Sequence, residues 1–286
     1  MKIGATTIPM AGWIVDPLQT DHLRRERLEV IRKLVEDHSL SVVELSLDLA
    51  VLYPHIFDNT FYEQVAELQA GLGFHCTVHL PFLWIDPASL NERIRQSSQD
   101  SLLKAIELTR SIQIESYVVH LWGNTTIQIA TLLESPEEIS AFLDYILAQA
   151  DRSLSALCKV IKPSRLCVET LEMPPFNFIL PLISKLNTSI CLDIGHAGRH
   201  NRDLMDFLQN QFQRITEVHL HDFHHSHTGD QHRYHDHLPL GTGEFDYHSF
   251  LRALKEMDYE GVIILELNNH KDLMISLDAI GEYLHE

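Results

Sequence analysis

The sequence predicts a single (β/α)8 barrel spanning residues 1–286. Three observations carry that expectation. Eight short apolar runs rich in β-branched residues alternate with amphipathic stretches, the pattern of a parallel sheet wrapped by helices. The length of 286 residues suits a fold that needs about 250. No linker or low-complexity tract divides the chain, and 45% hydrophobic residues can fill one large core.

The strand candidates are Lys2–Ile8, Val42–Ser46, Cys76–Leu80, Ser116–Leu121, Arg165–Leu171, Ser189–Ile194, Thr216–His221 and Gly261–Leu267. Leu28, Ile31 and Val35 recur at helical spacing in the first intervening stretch, and Phe61, Val65, Leu68 and Leu72 in the second. Ser135-Pro136-Glu137-Glu138 reads as a helix start, with an N-cap serine, a proline in the first turn and a glutamate able to close a capping box. Asp246 similarly precedes the stripe Phe250, Leu251, Leu254 and Met257.

Composition narrows the function. The N-terminus lacks the basic-then-apolar layout of a signal peptide, and no run of about eighteen apolar residues occurs, so a cytoplasmic protein without a membrane span is expected. Cys76, Cys158, Cys167 and Cys191 are too scattered for a disulfide framework or a zinc knuckle. Forty acidic against 22 basic residues give −18, which argues against a nucleic-acid partner. Nineteen histidines point to metal chemistry.

Polar residues fall where a buried parallel strand should stay apolar. Six of the eight runs end in a carboxylate or a histidine: His79, His120, Glu169, Asp193 with His196, His219 with His221 and Asp222, and Glu266. In a barrel of this kind the C-terminal strand ends carry the active site. A lone histidine there can simply be a hydrogen-bonded core residue. Glu169, Asp193 and Glu266 together are harder to explain, because buried like charges are costly without cations and no strand-end Arg or Lys stands near them. Mixed imidazole and carboxylate donors suit zinc, manganese or iron(II) better than calcium. Two or three divalent ions are therefore expected.

After the seventh run, Asp222-Phe223-His224-His225-Ser226-His227 continues to His232, His235 and His237. Most of this tract reads as solvated loop. His235 and His237 are metal candidates, because Leu238-Pro239-Leu240-Gly241-Thr242-Gly243 anchors them to the rim. Trp13, Trp84 and Trp122 each follow a strand, beside Met10, Tyr53 and Phe82. Rim packing explains them, or an apolar wall for a large flat ligand.

These motifs resemble the xylose isomerase-like barrel superfamily, which includes the family-2 apurinic endonucleases and many sugar isomerases and epimerases. The likeness spans essentially the whole chain. It implies that His79, His120 and Glu169 hold a first metal, and Glu169, Asp193, His219 and Glu266 a second. His196 and His237 match two ligands of a third, whose remaining ligand, an aspartate in the endonucleases, is His235 here. Tyr117–Leu121, Arg165–Glu169, Ser189–His196 and Val218–His221 are further similar to the cobamide-remodelling phosphodiesterases. That resemblance implies phosphodiester hydrolysis of a small or medium substrate, favoured as the lower nucleotide loop of a corrinoid, with Glu169, Glu266 and His196 in catalytic roles. The alternative within the superfamily is a sugar or polyol phosphate isomerase or epimerase, in which one ion suffices and Glu169 and Glu266 shuttle protons. Endonuclease action at abasic DNA and a non-catalytic carrier are more distant readings.

Overall fold

Successive side chains of a strand point to opposite faces, so closing eight strands into a barrel sorts every second residue inward. The structure, a computed structural model, describes residues 1–7, 20–130, 132–133, 135–171, 176–199, 203–228 and 231–283. The strands are β1 (Lys2–Thr6), β2 (Val42–Ser46), β3 (His75–His79), β4 (Ile114–Val119), β5 (Leu166–Glu169), β6 (Ser189–Asp193), β7 (Ile215–Leu220), β8 (Asp222–Thr228), β9 (Gln231–Leu238) and β10 (Val262–Leu265). All but β8 and β9 form a closed parallel barrel in the order β1-β10-β7-β6-β5-β4-β3-β2. The predicted (β/α)8 barrel is the observed fold.

Around it lie α1 (Thr20–Glu36), α2 (Asp48–Leu52), α3 (Asn59–Leu72), α4 (Glu92–Leu108), α5 (Asn124–Ala130), α6 (Pro136–Leu157), α7 (Leu180–Leu186), α8 (Ile194–Gly198), α9 (Leu204–Gln211), α10 (Tyr247–Glu256) and α11 (His270–Ala279). The capping box predicted for α6 is present, Ser135 Oγ accepting from Glu138 N–H and Glu138 accepting from Ser135 N–H. Asp246 likewise accepts from Ser249 N–H at the start of α10. No helix among the described residues is long and apolar enough to cross a membrane.

The sorting by face is clean. Val43, Leu45, Val78, Tyr117, Val119, Leu166, Val168, Ile190, Leu192, Val218, Leu220, Ile263 and Leu265 join the apolar layer between barrel and helices. Two separate small apolar clusters, Val42 with Val262 and Ile264, and Val118 with Cys167 and Cys191, come from the alternate positions that fill the barrel. Those same alternate positions carry Glu44, Thr77, His79, Glu169, Asp193, Glu217 and His219. The polar residues thus form a column inside the barrel, deepest at Glu44 and Glu217, both fully buried.

Ser116 Oγ donates to Glu217 at 2.6 Å. Burial first, and then the neighbouring Glu44 charge, push the Glu217 carboxyl up to about 7. The native state therefore keeps a proton that the unfolded chain, with an ordinary value of 4.5, has already released. This contribution makes stability fall as pH rises from about 4.5 to about 7. Glu217→Gln, neutral at every pH, should melt a few degrees above the parent at pH 8, with the gap closing toward pH 4.5; thermal melts by circular dichroism across that range check this, and a pH-independent gap would contradict it.

The histidine-rich tract after β7 is not a solvated loop. β8 and β9 pair antiparallel as a hairpin, with Asp222 opposite Leu238, His224 opposite His235 and His225 opposite Tyr234. Aromatic packing explains the order: Tyr234 lies 5.0 Å from the His225 ring and 5.8 Å from Phe223, which also meets Phe245. At the base, the buried Asp222 carboxylate accepts from the backbone N–H groups of Phe223, Gly241, Gly243 and Phe245 at 2.8–3.0 Å. Gly243 must lack a side chain there, since a Cβ would come within 2.3 Å of Asp222 Oδ1.

Candidate metal centre

Four neighbouring strand ends, those of β3, β4, β6 and β7, converge on Glu169 at the end of β5. From β3, His79 Nε2 stands 3.1 Å from Glu169 Oε2, while its Nδ1 meets the Leu80 carbonyl at 2.9 Å. That carbonyl can only accept, so Nδ1 carries the proton and Nε2 is left to face the site. Just beyond β4, His120 Nε2 lies 2.8 Å from the same Glu169 oxygen. His196, in the short helix α8 after β6, places Nε2 3.7 Å from Glu169 Oε1.

His219 is fixed from below. Its Nε2 lies 3.2 Å from Glu44 Oε2, both residues being fully buried. Its Nδ1 points up at Glu266 Oε2 (3.0 Å), Glu169 Oε1 (3.9 Å) and Asp193 Oδ2 (4.0 Å). His237, carried in by β9, sets Nε2 3.7 Å from Glu266 Oε2 and holds its Nδ1 against Asp236 at 3.1 Å. Of the residues expected to bind metal, His79, His120, Glu169, Asp193, His196, His219, His237 and Glu266 are therefore gathered at one mouth.

The electrostatics of the cluster suit a cation. Burial would raise the Glu169 carboxyl, yet His120, then His79 and His219, hold it well below the usual carboxylate range. Glu266 is held low in the same way by His219 and His237 against its burial. Burial would lower the imidazoles, but Glu169 holds His79 up at about 10, and Asp236 with Glu266 holds His237 up at about 11. Imidazolium protons are what balance the acids here, and a divalent ion could take their place. The donor atoms fit such an ion. One ligand atom each from Glu169, Asp193, His219 and Glu266 lie within 4.8 Å of one another, and the buried His219 Nδ1 and Glu266 Oε2 face each other at 3.0 Å outside hydrogen-bonding geometry. A second set within the same limit, His79, Glu169 and His219, shares two of these residues.

A cavity of about 780 Å³ opens above the cluster. His79, His120, Glu169, His196, His237 and Glu266 line its inner part, and Trp84 and Trp122 line it further out. The two tryptophans do not form one exposed wall. Trp122 is packed to 3% exposure, whereas Trp84 is 81% exposed on a left-handed backbone with φ 58°. Trp13 and Met10 lie outside the described residues.

The model of the family described as "Xylose isomerase-like TIM barrel" matches residues 33–284. The chain belongs to the xylose isomerase-like TIM barrel family. An uncharacterized protein of Methanocaldococcus jannaschii is 29% identical over 238 residues, covering 76% of this chain and 73% of that protein. A putative L-ribulose-5-phosphate 3-epimerase of Haemophilus influenzae, SgbU, is 25% identical over 195 residues, covering 64% and 62%. Among solved structures, a D-tagatose 3-epimerase-like protein superposes with a TM-score of 0.70 at 24% identity, covering 99% of this chain and 97% of that one.

Within this xylose isomerase-like barrel the structure places one expected residue elsewhere and adds another to the site. His235 is exposed and sits opposite His224 on the hairpin, outside the gathered donors. The carboxylate that meets His237 is instead its neighbour Asp236. Glu44 was not among the expected site residues, although a charge in the middle of Val42-Val43-Glu44-Leu45-Ser46 was the available signal, because alternation puts it on the inward face.

Proposed function

We propose that the chain is a divalent-metal-dependent isomerase or epimerase acting on a sugar or sugar phosphate. One observation carries the reading: Glu169 on β5 and Glu266, just past β10, contribute carboxylates from opposite sides of one four-donor set that also contains Asp193 and His219. An ion bound there would polarise a substrate carbonyl and take up charge developing on its oxygen. The two glutamates then act on the adjacent carbon. One glutamate, ionised, accepts the C–H proton from one face, and the other, protonated when substrate binds, gives its proton to the opposite face, which inverts the centre and leaves the first protonated and the second ionised. His196 and His237, at the same mouth, are placed to hydrogen-bond substrate hydroxyls. The names of the epimerase relatives support this reading over hydrolysis.

The test is to incubate the manganese-loaded protein with a panel of ketoses and their phosphates in D2O. Epimer formation with deuterium at the inverted carbon is expected by NMR, together with one ion per chain. Absence of both epimer and exchange across the panel would refute the reading. Phosphodiester hydrolysis stands as a second reading, because His79 and His120 both converge on Glu169 Oε2 and so outline a second ion's donors. Two or three ions per chain, with release of a nucleoside from a corrinoid or another phosphodiester, would favour it.

A further inference from the structure

His221 looks like a metal ligand and has no nitrogen free to be one. It follows His219 by two residues on the inward face, is fully buried, and lies within ligand distance of His237 and Glu266. Its Nδ1 is 3.0 Å from the backbone N–H of His237, and its Nε2 is 3.2 Å from Asp193 Oδ2. A backbone N–H donates whatever the tautomer, so Nδ1 accepts; the Asp222 carbonyl, 3.2 Å from the same nitrogen, is then a contact and not a hydrogen bond. The remaining proton sits on Nε2 and is given to Asp193. Both nitrogens are spent.

The surroundings are shaped for this ring. His237 adopts the left-handed backbone, φ 53°, that delivers its N–H to Nδ1, and its own ring stacks on His221 with centroids 4.3 Å apart and planes 10° from parallel. A bulky residue holds that backbone only where its surroundings over-determine it. Opposite, Gly195 leaves the room the ring occupies: a Cβ there would stand 2.2 Å from His221 Cε1. The Tyr234 hydroxyl of the hairpin also donates to the Gly195 carbonyl. Asp193, the recipient, uses its other oxygen to accept from His196 N–H at 2.6 Å.

We infer that His221 is a positioning residue that orients Asp193 toward the bound ion and ties the hairpin's His237 to the same centre. The inference rests on the metal-site reading and is independent of which reaction follows. Outer partners of this kind are worth about 10–100-fold in metal affinity. His221→Phe keeps a ring of similar shape and loses both hydrogen bonds; His221→Gln restores a donor toward Asp193.

The test titrates Co(II) into the metal-free parent and both variants, reading affinity and the visible ligand-field spectrum, with hydrogen exchange of the hairpin amides beside it. Expected are a 10–100-fold weaker affinity in His221→Phe at unchanged stoichiometry, a spectrum unchanged in intensity, recovery of most of the loss in His221→Gln, and faster exchange at His237 in His221→Phe. Loss of one ion per chain or a changed coordination spectrum in both variants would make His221 a ligand and overturn the inference. Parent-like affinity in His221→Phe would overturn it too. Should His221→Phe fail to fold, His221→Gln alone decides, since a ligand role predicts a changed spectrum and a positioning role does not. If the parent itself takes up no ion, the metal-site reading fails first, which separates the two failures.

Discussion

Glu169→Gln is expected to lower turnover by about 10²–10⁴-fold and to strip the protein of at least one ion on gel filtration. The substitution keeps shape and removes charge. Glu169 is the residue on which His79, His120, His196 and His219 all converge, so among the described residues no other side chain at the mouth balances as many imidazoles. Without its charge, the His79 imidazole, held up at about 10, loses its main support and its value drops. In the metal-free protein, the change removes one partner of a buried ion pair, a loss that costs on the order of 3–5 kcal/mol. Rates of the proposed epimerisation, elemental analysis and a metal-free melt measure the three effects together. Turnover within tenfold of the parent would remove Glu169 from the catalytic role.

Asp222→Ala should produce a large loss of stability outside the candidate metal site. One carboxylate satisfies four backbone donors, two on each oxygen, across the segment 223–245. Alanine strands all four at once. The Phe223 donor is buried and costs about 1–3 kcal/mol when left without a partner, while those of Gly241, Gly243 and Phe245 are partly exposed and water moderates their loss, so a total of about 3–5 kcal/mol is expected. For a chain of this size that is a fall of roughly 5–8 °C in Tm. The same change frees the base of the hairpin that carries His237, so metal affinity should weaken in the folded variant. A melt within about 2 °C of the parent would show that the four bonds are replaced by solvent.

How much of this was legible in the sequence depends on how local the cause is. Val42–Ser46 was read with the bounds that the strand has, because a β-branched run between helical stretches admits little else. Glu169 and Asp193 were legible because a carboxylate at the end of a buried apolar strand has no inexpensive structural explanation. Glu44 is harder to recognise because it stands in mid-strand and not at a strand end, although it lies on the same inward face. His235 and Asp236 could not be told apart from sequence: a register shift between Asp222 and His224 and the left-handed residue at His237 break the alternation that would have assigned them. The hairpin itself was hidden by composition. A histidine-rich tract reads as solvent-facing until Tyr234, Phe223 and Phe245 are seen to pack together, and that packing is tertiary. Trp122 shows the same limit, since adjacency to a strand end does not tell burial from display.

Because the ligands and the filling of the barrel occupy the same alternate positions, β7 carries two specifications in one reading frame. A slip of a single residue against β6 or β10 would swap Glu217 and His219 for Val218 and Leu220, delivering acids to the helices and aliphatic chains to the mouth. Mispaired forms of this strand therefore lose the core and the candidate ion site together, so a divalent ion that the site binds would favour the correctly threaded barrel.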